Sequence, residues 1–122
     1  MKYLLDTHAL VWWLMDDPRL SAAARAALTN GDNEVAASAV SAFEIGKWPE
    51  VGTLCADFVT YVMAERFVLL PVEPSHALLA GQLTGDHKDP FDRLLAAQSK
   101  LESLTLVTAD KAFNVFDVEC LW

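Results

Sequence analysis

The chain has 122 residues, 53% of them apolar and 21% charged, which suits one domain with a real core and excludes a disordered polyanion. Its 17 acidic side chains against 9 Lys and Arg give a formal net charge of −8, which argues against a protein that gathers nucleic acid through its overall field. No apolar run approaches the roughly 18 residues that cross a bilayer, Asp6 interrupts the start, and Cys55 and Cys120 lack metal or disulfide spacing, so a cytoplasmic protein with buried free thiols is expected.

In chain order, Lys2 to Leu5 reads as a first strand. Asp6-Thr7 opens a helix rich in apolar residues, and Asp17-Pro18 breaks it. Ser21 caps an alanine-rich helix to about Thr29, closed by Asn30-Gly31. Glu34 to Ala37 is a second strand. Ser38 or Ser41 caps a third helix through about Lys47, stopped by Trp48-Pro49, with Gly52 in a loop. A fourth helix is expected from about Cys55 to Glu65, then a strand from Phe67 to Val72. Pro74-Ser75 opens a short helix to about Leu83, and Gly85 to Lys88 is a loop. Asp89 starts a helix to about Glu102, and Leu104 to Thr108 is the fourth strand. A helical turn from Asp110 and a strand from Val118 to Leu121 complete the chain. Strands alternating with helices predict a single α/β domain with a mainly parallel sheet of four or five strands and helices on both faces.

In such a sheet, sites form beyond the carboxyl ends of the strands. Asp6 follows strand one, Asp110 follows strand four, Glu44 lies in the helix after strand two, and Asp92 lies in the first turn of the helix after the Gly85–Lys88 loop. Carboxylates that converge raise each other's pKa, and a hard divalent cation removes that conflict. Each acid also has a purely structural use. Asp6 and Asp110 can cap the helices that follow them. Asp89-Pro90-Phe91-Asp92 has the form of an N-terminal cap with Asp89 at its head, and Glu44 can be an exposed helical acid.

Four segments carry a family resemblance that covers nearly the whole chain. Leu4-Leu5-Asp6-Thr7-His8-Ala9-Leu10-Val11-Trp12 resembles the first motif of PIN-domain ribonucleases, in particular the VapC-type toxins of bacterial toxin–antitoxin pairs. Ser38-Ala39-Val40-Ser41-Ala42-Phe43-Glu44-Ile45 resembles their second motif. His87-Lys88-Asp89-Pro90-Phe91-Asp92-Arg93-Leu94-Leu95-Ala96-Ala97-Gln98 is similar to the third, and Leu106-Val107-Thr108-Ala109-Asp110-Lys111-Ala112-Phe113 to the fourth. The resemblance implies a PIN-like three-layer fold and a Mg²⁺- or Mn²⁺-dependent endoribonuclease. Asp6, Glu44, Asp92 and Asp110 would be its acidic ligands, with Asp6 and Asp92 touching the metal directly. Thr7 or Thr108 would orient a carboxylate or water, and Asp89 would support them. It further implies an RNA substrate, a small antitoxin partner and a homodimer. The segment from Gly46 to Leu54 departs from the family by being short and holding Pro49, which predicts a different groove beside that helix.

Lys88, Arg93 and Lys111 flank the acids and read either as RNA-phosphate contacts or as surface charges. His8 and His87 are near the motifs, although imidazole is a poor ligand for a hard ion. Trp12, Trp13 and Trp48 read as core or interface. The competing readings are a receiver-type phosphoryl-acceptor domain and a non-catalytic PIN-like binding module. The first lacks paired acids after strand one, and the presence of all four acids argues against the second.

Overall fold

A computed structural model describes residues 1–122. Five strands, Lys2–Leu5 (β1), Glu34–Ser38 (β2), Val68–Leu70 (β3), Thr105–Val107 (β4) and Cys120–Leu121 (β5), form one sheet. Their order is β3-β2-β1-β4-β5 and every neighbouring pair is parallel. Receiver-type domains share the doubly wound plan with strand order 2-1-3-4-5. Here β2 lies between β1 and β3, so that competing reading fails on topology.

The strands alternate their side chains between two cores, as a twofold period requires. Tyr3 and Leu5, Val35 and Ala37, and Val107 point into one apolar cluster. Leu4, Ala36 and Leu106 point into the other. Helices Thr7–Leu14 (α1) and Ala22–Thr29 (α2) cover the first face with Ala9, Leu10, Ala24 and Leu28. Pro90–Leu101 (α7) covers the second with Leu95 and Ala96. Pro74–Gln82 (α6) lies against α7. Helix Ala39–Gly46 (α3) stands at the carboxyl end of β2 and sends Val40 into one cluster and Ile45 into the other.

The caps account for most element boundaries. Asp6, Ser21 and Ser38 each accept a backbone N–H at the start of α1, α2 and α3. At α6 the cap is reciprocal: the Glu73 N–H donates to His76 Nδ1 at 2.9 Å, which gives the buried His76 a structural use that its position in the sequence did not reveal.

Three expectations are corrected. Gly52 is not in a loop: Pro49 opens a helical turn to Val51, and Gly52–Ala56 (α4) continues it. Proline presets the φ of a first helical position, so it starts structure here as well as ending α3. The single helix from Cys55 to Glu65 is broken at Asp57, whose φ of −128° leaves helical space, and Phe58–Ala64 (α5) follows. Cys55 and Cys120 are exposed free thiols, not buried ones, because α4 turns Leu54 inward and β5 is an edge strand.

Candidate active site

β1 pairs with β2 on one side and β4 on the other, so the sheet's connections diverge between β1 and β4. The crevice at such a point is where an open parallel sheet offers exposed, convergent chain ends. Asp6 and Thr108 sit there, at the ends of β1 and β4. The Thr108 hydroxyl donates to Asp6 Oδ2 at 2.5 Å, joining residues 102 positions apart. The other Asp6 oxygen accepts the Ala9 N–H at 2.8 Å. Capping and site-building are therefore one arrangement: the cap fixes the carboxylate that the crevice presents. Asp6 is only 6% exposed, and burial pushes its carboxyl above the usual range, against the lowering effect of the Thr108 hydrogen bond.

Thr108 also accepts the Asp110 N–H at 3.0 Å. Asp110 in turn caps the 3₁₀ turn Lys111–Phe116 by accepting the Ala112 N–H at 2.9 Å, while remaining exposed. Its charge is one of those that raise Asp6.

Asp89 heads α7, and its Oδ1 accepts the Phe91 N–H at 2.9 Å and the Asp92 N–H at 3.4 Å. Its capping use is thus present in the structure. It leaves the half-buried Asp92 free to face the His87 ring, whose Nε2 lies 2.6 Å from Asp92 Oδ2. Burial, with Asp89 and Glu44 nearby, pushes Asp92 up to about 6 against the opposing pull of His87. Glu44, on α3, is held from the start of α1. Thr7 Oγ1 donates to Glu44 Oε1 at 2.7 Å and lies 3.0 Å from Ser41 Oγ.

Ligand atoms of His87, Asp92 and Asp110 all lie within 4.8 Å of one another. Asp6 and Glu44 border this group without belonging to it. Asp6 is coupled to it through Asp110, and Glu44 through Asp92. Two carboxylates beside an imidazole, bordered by two more carboxylates, form an oxygen-rich set suited to a hard divalent ion. Sequence reasoning placed His87 near the motifs without assigning it a partner, and the structure sets its ring against Asp92. Its spacing of five residues before Asp92, across a capped helix start, was the available signal.

Of the flanking cations, Lys88 and Lys111 are exposed. Arg93 is not a free phosphate contact. Its guanidinium donates to the carbonyls of Ala80 at 2.9 Å, His87 at 3.0 Å and Leu83, and it lies over the Phe116 ring. This fork ties α6 and the loop after it to α7. Deeper in, the buried Gln98 accepts the Ser38 hydroxyl at 2.6 Å and donates to the Pro71 carbonyl at 3.1 Å, linking α7 to the ends of β2 and β3. His8 lies 5.0 Å from the Trp48 ring and 5.7 Å from Trp12. Trp12, Trp13 and Trp48 are half-buried against the first core cluster. A cavity of about 360 Å³ opens elsewhere, lined by Trp13, Leu28, Asn33 and Phe67, and none of the acids line it.

Comparison with known proteins places this geometry. The family model described as PIN domain matches residues 3–119. The chain is 34% identical over 113 residues to "Ribonuclease VapC22" of Mycobacterium tuberculosis, covering 88% of this chain and 86% of that one. Its backbone resembles that of VapBC2 from Rickettsia felis bound to a promoter DNA fragment, with a TM-score of 0.72 at 18% identity over 99% of this chain and 98% of that one. It also resembles DNA-bound VapBC from Salmonella typhimurium, with a TM-score of 0.74 at 17% identity over 99% and 97%. No helix is long and apolar enough to cross a membrane.

Proposed function

The chain belongs to the PIN-domain family, and on that premise we propose that it is a divalent-metal-dependent endoribonuclease, the toxin of a toxin–antitoxin pair. The observation that carries the reading is the convergence of His87, Asp92 and Asp110 within 4.8 Å, beside a buried Asp6 held by Thr108. The relative named a ribonuclease, at 34% identity, favours RNA as the substrate. The VapBC complexes among the similar structures favour a small antitoxin partner.

Asp6, Asp92 and Asp110 would hold Mg²⁺ or Mn²⁺, with Glu44 at the margin and His87 fixing Asp92. A bound ion would supply an activated water and offset the charge that builds on the phosphodiester during attack. The rest is the work of the chain. Thr108 holds the Asp6 carboxylate in one rotamer and anchors the Asp110 backbone, so two acids from different strand ends keep a fixed spacing. Thr7 does the same for Glu44. Asp89 orders the first turn of α7, from which Asp92 projects. Asp92, raised to about 6, favours the ionised form at neutral pH only modestly when no cation is nearby, so it gains most from a ligand that is itself positive. Lys88 and Lys111 are exposed cations beside the acids and are suited to neighbouring RNA phosphates.

A homodimer is part of the same proposal. Val59 and Met63, each 58% exposed, stand one turn apart on α5 and form an apolar stripe suited to a second copy.

The test is incubation of labelled structured RNA with folded, antitoxin-free protein in Mg²⁺ or in EDTA. Cleavage in Mg²⁺, abolished by EDTA and by Asp6→Asn or Asp92→Asn, is expected. RNA left intact by the wild type in Mg²⁺ and in Mn²⁺ would sink the nuclease reading.

A further inference from the structure

Two phenylalanines stand beside the acids in sequence and against each other in space. Phe43 precedes Glu44 on α3, and Phe91 precedes Asp92 on α7. Their ring centres are 4.9 Å apart with planes within 30° of parallel. Phe91 is half-buried and packs on the second core cluster, whereas Phe43 is 57% exposed. Core packing does not account for Phe43, since α3 buries Val40, Ser41 and Ile45 instead. The Lys47 ammonium lies 5.3 Å from the Phe43 ring centre and 4.8 Å from that of Phe91. Lys47 forms no ion pair.

We infer that Phe43, backed by Phe91 and flanked by Lys47, is a stacking platform that positions one unpaired nucleobase of the RNA beside the acidic site. The inference rests on the nuclease reading above. A flat apolar ring pair with one adjacent cation matches a planar base carrying its phosphate. Bases stack on aromatic side chains whatever their identity, and a nearby cation adds to the face of the ring. A base inside an A-form helix is already stacked on both sides and cannot reach such a ring, while loop nucleotides can. The one cation at the ring pair, Lys47, suits the phosphate of the same occupant. In a protein of net charge −8, stacking supplies affinity that the overall field does not, and Lys47 supplies a local cation. Phe43 is thus a positioning residue: it holds the nucleotide while the neighbouring acids face the phosphate.

Binding is read by fluorescence anisotropy in an Asp92→Asn background with Mg²⁺, where the RNA stays intact and affinity is separate from turnover. Phe43→Ala is expected to weaken binding of a single-stranded oligonucleotide by about 5- to 150-fold, the worth of one stacked base. Phe43→Trp keeps binding within about twofold, because indole stacks at least as well. Lys47→Ala lowers the slope of log affinity against log salt by about 0.7, one single-strand phosphate contact. Blunt duplex RNA binds Phe43→Ala and its parent equally. Unchanged single-strand affinity in Phe43→Ala overturns the proposal, even where the same variant loses an antitoxin-type protein. Equal losses in Phe43→Ala and Phe43→Trp overturn it too, since a surface role without stacking would give that result. Phe43-dependent binding in a protein that never cleaves supports the platform and removes the nuclease reading alone. Cleavage with Phe43-independent binding removes the platform alone.

Discussion

At the scale of the residue, two of the four acids have two uses at once. Asp6 caps α1 and faces the crevice, and Asp110 caps a turn and stands 4.8 Å or less from His87 and Asp92. A cap satisfies one carboxylate oxygen and leaves lone pairs on the other, so the two uses do not compete. The cost appears in the titration of Asp92. Its folded carboxyl is raised to about 6 from an ordinary 3.8, so the folded state holds the proton more tightly than the unfolded chain. Stability from this group is therefore complete below about pH 4 and is lost as pH rises through about 6. Asp6 is raised as well and acts in the same direction. In EDTA, Asp92→Asn should be more stable than the wild type at pH 7.5 and indistinguishable from it near pH 4, as read by urea denaturation. Mg²⁺ at pH 7.5 should stabilise the wild type and leave Asp92→Asn nearly unmoved. A wild type that is more stable than Asp92→Asn in EDTA at pH 7.5 would contradict this reading.

At the scale of the element, the capping signals of the sequence set the starts of α1, α2, α3 and α7 within one residue. They failed between Gly46 and Phe58, where Pro49 opens a turn and Asp57 breaks a helix whose apolar spacing continues across it. Leu54 and Val62 lie in one core with the spacing of a continuous helix, so the apolar period carries no sign of the break at Asp57. The Arg93 fork is a second such case: three backbone carbonyls far apart in sequence define its use. Arg93→Ala and Arg93→Lys should both lower kcat, by about tenfold or more, through displacement of His87 and Asp92, and RNA affinity should stay near that of the wild type. Lysine has three donors on a single nitrogen and cannot span carbonyls that Nε, Nη1 and Nη2 of Arg93 bond separately. Full rescue by Lys, with the Ala variant defective in RNA binding instead, would return Arg93 to the role of a phosphate contact. Gly85 belongs to the same loop. With φ at +125° and Val115 side-chain atoms 3.2 Å from where a Cβ would stand, it has no ordinary replacement.

At the scale of the whole molecule, the net charge of −8 takes on a different meaning once the acids are mapped. Asp6, Glu44, Asp92 and Asp110 converge at one edge, so part of the acidic excess is concentrated where a divalent ion would offset it. The remaining field still repels RNA at long range. Raising NaCl from about 20 to about 150 mM at fixed Mg²⁺ should therefore leave the association rate constant for RNA unchanged or raise it, because screening removes repulsion. Stopped-flow mixing measures this directly, and a steep fall with salt would show that a basic surface steers the encounter after all.

The sequence alone determined the alternation of strands and helices, the twofold apolar period of each strand and the cap at most helix starts. These are local properties, written in residues a few positions apart. It also placed the four acids after strand ends or in first turns, where a parallel sheet exposes them. The tertiary structure alone decided which acids meet. Strand order 3-2-1-4-5 sets β1 beside β4, and only then does Thr108 reach Asp6 from 102 residues away, while the loop tied by Arg93 carries His87 to Asp92. The physical reason is that strand pairing and side-chain forks act across space, and the geometry of a polar site is fixed by those long-range hydrogen bonds and not by the spacing of its residues along the chain.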